Sequence, residues 1–400
     1  MKEKFLKFLD YASEYSLYAL IIFIPISNAA IESFFGFMLL FFILKKIIKP
    51  EFGFLRSPSY IFLLFFVLFM EASFLNSGQN LSKSLSALVC KWLENILIFV
   101  ITFETLKDKK RVTKCLGILL FTACLIGIDV LFQKFTGADF IHNKKLVPLG
   151  GGSPMLGVTA SFHHYNSLGT YLVFILSLVL ASLIYIKGKL KKTLLLALLI
   201  LLQICLILTF SRGSWIGLLA VLILMLFLSR KINKLIYIFS IYILIMVFFP
   251  GIRERTLFIF SPQGDADRFI VWQGAFRMIK AHPFLGIGLG TFMANFQEFV
   301  SKAMTIQYAH NCYLQIWTES GIFALLSFIL FIGSIFYKSI ETFKKNTTNF
   351  ILLGFICAFF GFLVQSFFDN QLYSLQLSAL FWFMAGVIAA LIKLDEKAIK

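Results

Sequence analysis

Acidic side chains are scarce in this 400-residue chain: 20 Asp and Glu stand against 37 Lys and Arg, and charged residues make up only 14% of it. A soluble globule is about a quarter charged and about half apolar. At 59% hydrophobic and a mean hydropathy of +0.88, this chain is excluded from that class. Its five histidines are scattered and form no H-E-x-x-H pair, so the usual basis for zinc chemistry is missing. The six cysteines, Cys90, Cys115, Cys124, Cys205, Cys312 and Cys357, lie in or at the ends of apolar runs without a C-x-x-C spacing. They read as small packing residues. No fixed-period repeat or low-complexity tract divides the chain.

What is present is hydrophobic length. Apolar runs cover Ser16–Ala29, Phe34–Ile48, Tyr60–Leu75, Leu85–Phe103, Cys115–Phe132 and Ser167–Ile186, then Thr193–Phe210, Trp215–Leu228, Leu235–Phe249, Leu314–Tyr337, Phe350–Phe367 and Leu375–Ile392. Twelve spans of about 20 residues use roughly 240 positions, close to the apolar fraction. Several runs are shorter than a bilayer is thick, so their helices are expected to extend into polar flanks. The reading is an all-α integral membrane protein of about 12 transmembrane helices, one multispanning unit over residues 1–400. Met1–Lys7 with the apolar run behind it has the form of a signal peptide, but is read as an uncleaved first helix.

A net charge of +17 on a soluble chain would suggest nucleic acid; in a membrane chain, Lys and Arg collect on cytoplasmic loops. With the amino terminus in the cytoplasm, 25 of the 37 basic residues fall on that side, in the leader, in every short loop there, and in the tail. Both termini are therefore expected in the cytoplasm, with no nucleic-acid partner. Two longer segments, 133–166 and 250–311, are then external, and the second holds most of the non-membrane chemistry.

Three pieces of that outer face carry candidate chemistry. Phe210-Ser-Arg-Gly-Ser-Trp215 is a tight hairpin with Arg212 at its tip, either an interfacial anchor or an anion ligand. Asp265 to Lys280 has Phe269, Trp272, Phe276 and Ile279 at helical spacing, with Arg268 in the first turn, where a helix amino terminus and a guanidinium favour phosphate oxygens. Asp265-x-Asp267 reads as a helix cap before it reads as a metal pair. The three alternating glycines in His282-Pro-Phe-Leu-Gly-Ile-Gly-Leu-Gly-Thr-Phe292 follow no strand and form a turn between loop helices, not a dinucleotide site. His310 stands at the mouth of the tenth span, where the helix dipole favours a neutral ring nitrogen. Within the spans, Lys91 and Glu94 are expected to pair on one helix face; Asp129 and Asp369-Asn370 are secondary candidates at the outer ends.

Together these residues resemble the O-antigen ligase and polymerase family of bacterial envelope glycosyltransferases. Ser211-Arg-Gly213 carries the likeness, with Arg268 and Trp272, His282-Pro with Gly286, Gly288, Gly290 and Phe292, and His310-Asn311-x-x-Leu314 with Glu319 and Gly321. Phe162-His-His-Tyr-Asn166 is a weaker match, since His164 and Tyr165 replace the family's usual Asn and Pro. The resemblance spans residues from about 160 to 390. It implies a fold like the C-type glycosyltransferases, and a glycan on undecaprenyl diphosphate as donor, transferred at the periplasmic face of the inner membrane without metal or other cofactor. By ligase analogy the acceptor is a sugar hydroxyl of the lipid A core. Arg212 and Arg268 would grip the diphosphate and His310 would orient or deprotonate the acceptor, with inversion at the anomeric carbon. Ser211, Asn166, His164, Trp272, Asn311 and Asp369 would contact substrate. A polymerase joining repeat units, protein glycosylation with the same donor, and, from another class, a transporter or lipid flippase are the alternatives.

Overall fold

The apolar runs that fall among the described residues are helical over most of their length. The computed structural model describes residues 2–53, 59–149, 155–229, 266–300 and 308–399. In chain order the helices are α1 (Lys2–Phe23), α2 (Asn28–Ile48), α3 (Ser59–Ala72), α4 (Leu81–Ala87), α5 (Glu94–Thr105), α6 (Lys109–Thr136), α7 (Tyr165–Tyr185), α8 (Lys189–Thr209) and α9 (Arg212–Ser229). There follow α10 (Ala266–Ala281), α11 (Phe292–Phe296), α12 (Cys312–Lys345), α13 (Phe350–Gln365) and α14 (Leu375–Ile399). Among the described residues, eight helical stretches are long and apolar enough to cross a membrane, as in an all-α membrane protein. The expected ninth span, Leu235–Phe249, lies outside the described residues. Strand β1 (Val147–Pro148) pairs antiparallel with β2 (Leu156–Gly157), a two-stranded patch in the 133–166 segment.

The short runs do lengthen into their flanks. Asp108 caps α6 by accepting from Arg111 N at 2.9 Å, and Gly137, at φ 88°, closes it, giving 28 residues where the apolar run gave 18. The expected pair of Lys91 and Glu94 does not form. A π-helical turn, Leu88–Leu93, joins α4 to α5; it widens the helix, so residues three apart no longer share a face, and Lys91 points outward.

Hydropathy ranks the spans alike, but packing does not. In α7 and α14, 89% and 83% of the apolar window is buried inside the protein, against 28% in α8 and 22% over Ser59–Asn76. The first two form the centre, and the outer helices present Ile200, Ile223, Phe121 and Leu64 to lipid. Small residues set the closest crossings, as in membrane helix pairs generally: an added Cβ at Gly169 would lie 2.3 Å from Ser214 Oγ, and one at Gly361 would lie 2.6 Å from a methyl of Val221. At one end of the bundle, ion pairs tie helix ends together: Asp10 with Lys45, Lys107 and Arg111, Glu14 with Arg111, Lys46 with Glu104, and Lys109 with Asp395. The other end holds the candidate site.

Candidate functional site

The site is made of helix beginnings. At the start of α7, His164 is the capping residue: its Nδ1 accepts from Asn166 N at 3.2 Å, so that nitrogen carries no proton and the other one does. Asn166, the second residue of α7, sends its two side-chain atoms in different directions. Its Oδ1 accepts from Ser211 Oγ at 2.8 Å, and its Nδ2 donates to Asp369 Oδ2 at 2.9 Å. Asp369 lies in the link between α13 and α14. Its other oxygen accepts from Asn370 N at 2.9 Å and pairs with His310 Nδ1 at 3.2 Å. One polar chain thus runs from Ser211 through Asn166 and Asp369 to His310, across residues separated by up to 203 positions.

Arg212 enters through the hairpin. Phe210 adopts a left-handed conformation, φ 53°, which reverses the chain within two residues and makes Arg212 the first residue of α9. Its neighbours fix its place: Ser211 bonds Asn166, and an added Cβ at Gly213 would lie 3.3 Å from Phe368, beside Asp369. Arg268, in the first turn of α10, is close enough for its charge to act on His164. Trp272, one turn further, donates its indole N–H to the carbonyl of Ala309 at 2.9 Å, holding the segment that carries His310.

His310 also has a left-handed backbone, φ 51°, immediately before Asn311 caps α12 by accepting from Tyr313 N and Leu314 N, both at 3.0 Å. Its side chain is 42% exposed, while the Asp369 side chain is 22% exposed. Burial pushes the Asp369 carboxyl up, but the hydrogen bond and charge of His310, the charge of His164 and the Asn166 hydrogen bond together hold it well below the usual carboxylate range. Burial lowers His164, opposed by Asp369 and reinforced by the positive charges of His310, His163 and Arg268. The result is an imidazole backed by an ionised carboxylate, with its second nitrogen turned away from that partner. This is the arrangement of an oriented base.

The sequence-derived residues fare differently. Ser211, Asn166, Asp369, His310 and His164 meet, with Arg212, Arg268 and Trp272 around them; Asn311 is engaged as a cap. Asp265 and the side chain of Asp267 lie outside the described residues. Of the residues at helical spacing, Ile279 is buried, while Phe269 and Phe276 are exposed and lie off the packed face of their helix. That face is Val271, Ala275, Met278 and Ile279, because Gly274 and Ala275 leave room for Phe296 and Val300 to approach. The glycine turn is where spacing placed it, and Gly286, Gly288 and Gly290 all have positive φ. It seats in a kink of α12 at Gly321, φ 80°, where an added Cβ would lie 1.9 Å from the Phe284 carbonyl oxygen. Sequence reasoning named Glu319 only within the resemblance and did not name Gln315, the two forming a buried pair behind this site. Two polar residues four apart in an apolar helix were the available signal.

An uncharacterized protein of Haemophilus influenzae is 31% identical over 264 residues, an alignment covering 59% of this chain and 62% of that relative's length. The O-antigen ligase family model matches residues 196–329, the stretch that contains Ser211, Arg212, Arg268, Trp272, His310 and Glu319. Over residues 196–329 the chain is similar to the O-antigen ligase family.

Proposed function

We propose that this protein transfers a glycan from undecaprenyl diphosphate to a sugar hydroxyl of the lipid A core, at the periplasmic face of the bacterial inner membrane and without metal. In this reading it is a single twelve-span unit like the C-type glycosyltransferases, with both termini cytoplasmic and the 133–166 and 250–311 segments outside. The observation that carries the proposal is the bonded chain Ser211–Asn166–Asp369–His310 beside Arg212, drawn from four parts of the sequence to one end of the bundle.

Outside the cytoplasm no nucleotide sugar is at hand, so the lipid diphosphate is both the activated bond and the leaving group. Arg212 and Arg268 present planar forks to its oxygens, at the amino-terminal turns of α9 and α10, and neutralise charge as it leaves. Asp369 holds His310 through Nδ1, and the Nε2 atom takes the acceptor hydroxyl proton. The acceptor oxygen then forms its bond to the anomeric carbon from the side opposite the diphosphate. The carbon–oxygen bond to the carrier breaks, and undecaprenyl diphosphate departs with the electron pair, inverting the anomeric centre. Asn166, Ser211, His164, Trp272 and Asn311 shape the two binding surfaces.

The test is reconstitution of purified protein with lipid-linked glycan and lipid A core. Capped core, lost in His310→Ala with donor binding intact, is the expected result. Lengthened glycan on the carrier would make the protein a polymerase instead. Substrate movement across the bilayer without any new glycosidic bond would end the enzyme reading.

A further inference from the structure

Behind the His310–Asp369 pair, and out of reach of any substrate, lies a fully buried amide whose hydrogen bonds are all internal. Gln315 sits one turn into α12, and its Oε1 accepts twice: from Ala309 N at 2.6 Å and from Asn370 Nδ2 at 3.0 Å. Ala309 directly precedes His310, and Asn370 directly follows Asp369. One oxygen therefore ties together the two chain segments whose side chains form the pair. The orientation of the amide is not left to chance. Its Nε2 donates to Glu319 Oε1 at 2.9 Å, and Glu319 is itself held by Tyr373 OH on Oε2 at 3.0 Å and by Phe292 N at 3.4 Å. Turning the amide over would set its N–H2 against two donors and its oxygen against a carboxylate, so only one orientation is satisfied. His310 needs such support: its left-handed backbone is costly for a residue with a side chain and persists only where the surroundings over-determine it.

We propose that Gln315, oriented by Glu319, is the positioning residue that sets the His310–Asp369 geometry, and that it acts on the rate of transfer and not on donor binding. This rests on the function proposed above, but its first readout does not. In His-labelled protein, the imidazole nitrogen resonances of His310, assigned with His310→Ala, report the hydrogen bond to Asp369. Gln315→Leu should shift them toward their positions in Asp369→Asn. In transfer assays the same variant should lose about 10- to 100-fold in kcat, the usual cost of a misplaced catalytic group, with the KM for lipid-linked donor within twofold of wild type.

Because Gln315→Leu removes a buried polar group and can fail to fold, a charge exchange supplies the second test. Gln315→Glu alone faces two carboxylates and should lose activity. Adding Glu319→Gln restores the bond between the two side chains with its direction reversed and keeps an acceptor for Ala309 N, Asn370 Nδ2 and Tyr373 OH, at the loss of only the long Phe292 N–H bond, and should return both the resonances and at least a tenth of the wild-type kcat. The proposal is overturned if Gln315→Leu leaves the His310 resonances and kcat at wild-type values, if it raises donor KM with kcat unchanged, or if a folded double exchange is no better than Gln315→Glu. Shifted and restored resonances in a protein whose wild type shows no transfer would uphold the positioning role and overturn the proposed function instead.

Discussion

Replacing Asp369 by Asn tests the polar chain at its midpoint while keeping its shape. The carboxylate accepts three hydrogen bonds, from His310 Nδ1 at 3.2 Å and from Asn166 Nδ2 and Asn370 N at 2.9 Å each. An asparagine oxygen can keep His310 and Asn370. Its amide nitrogen then meets Asn166, which must turn over, donating to Ser211 Oγ, whose proton passes to Ser214 Oγ, 2.9 Å away. Every partner survives, so the fold should too. What is lost is charge assistance, roughly half the strength of each bond, or about 1 kcal/mol on the tether of His310. That converts to a fall of roughly fivefold to tenfold in kcat. Asp369→Ala goes further, because three donors lose their acceptor, and should cost about 100-fold. His310→Ala forfeits the general base, about 10²- to 10⁴-fold. The decisive measurement is the double variant His310→Ala/Asp369→Asn, assayed with lipid-linked donor in detergent. If Asp369 acts through His310, it should be no slower than His310→Ala alone; full additivity would refute the arrangement. Stability supplies a second check. The folded Asp369 carboxyl titrates below its unfolded value near 3.9, so the stability it contributes is present in full above that pH and lost as pH falls toward the folded value. The difference in thermal stability between wild type and Asp369→Asn should narrow below about pH 4, as the carboxylate takes up its proton.

Arg212→Lys should lose most transfer activity, since a point charge does not replace a planar fork on a diphosphate; wild-type turnover would remove Arg212 from the reaction. His164→Ala should destabilise the protein by about 1 kcal/mol through loss of the α7 cap, and His164→Asn should not. Because the fold lowers the pKa of His164, it disfavours the protonated ring, so this residue subtracts stability as pH falls through its unfolded value near 6.5. His164→Asn should therefore flatten the melting temperature profile between about pH 7 and 5. Gly321→Ala puts a Cβ 1.9 Å from the Phe284 carbonyl oxygen at φ 80°, and should cost more than about 2 kcal/mol in chemical denaturation; an unchanged midpoint would mean the kink is not needed.

The helices were legible in the sequence because a membrane leaves the backbone few choices: an apolar run of sufficient length must be helical. Their ends were less so. Ser27, Asp108 and Asn349 cap through side chains that composition alone does not distinguish from any other polar residue. Depth in the bundle was not legible at all, since α7 and α8 are almost equally hydrophobic, yet one is enclosed and the other faces lipid. Individual site residues could be found because they are polar at the outer ends of apolar runs. Their connections could not: that Asn166 bonds both Ser211 and Asp369, and that Gln315 stands behind His310, depends on close crossings permitted by Gly169 and Gly361, by Gly286 against the Glu319 backbone and by Gly321 against the Phe284 backbone. Those distances follow from packing, not from spacing.

The position of the site at helix ends has its own physical cause. In the bilayer core every backbone donor and acceptor is used inside its helix, so the free N–H groups of first turns are found only at the surface. His164 and Asn166 belong to the start of α7, Arg212 to the start of α9, Arg268 to the start of α10, and His310 adjoins the cap of α12. Four amino termini thus open toward one region, each bringing partial positive charge to the cationic side chains it carries. A neutral sugar gains little from such a field. A lipid diphosphate, whose charge grows as its bond to the glycan breaks, gains most at the moment of departure, which is where stabilisation raises a rate and does not merely tighten binding.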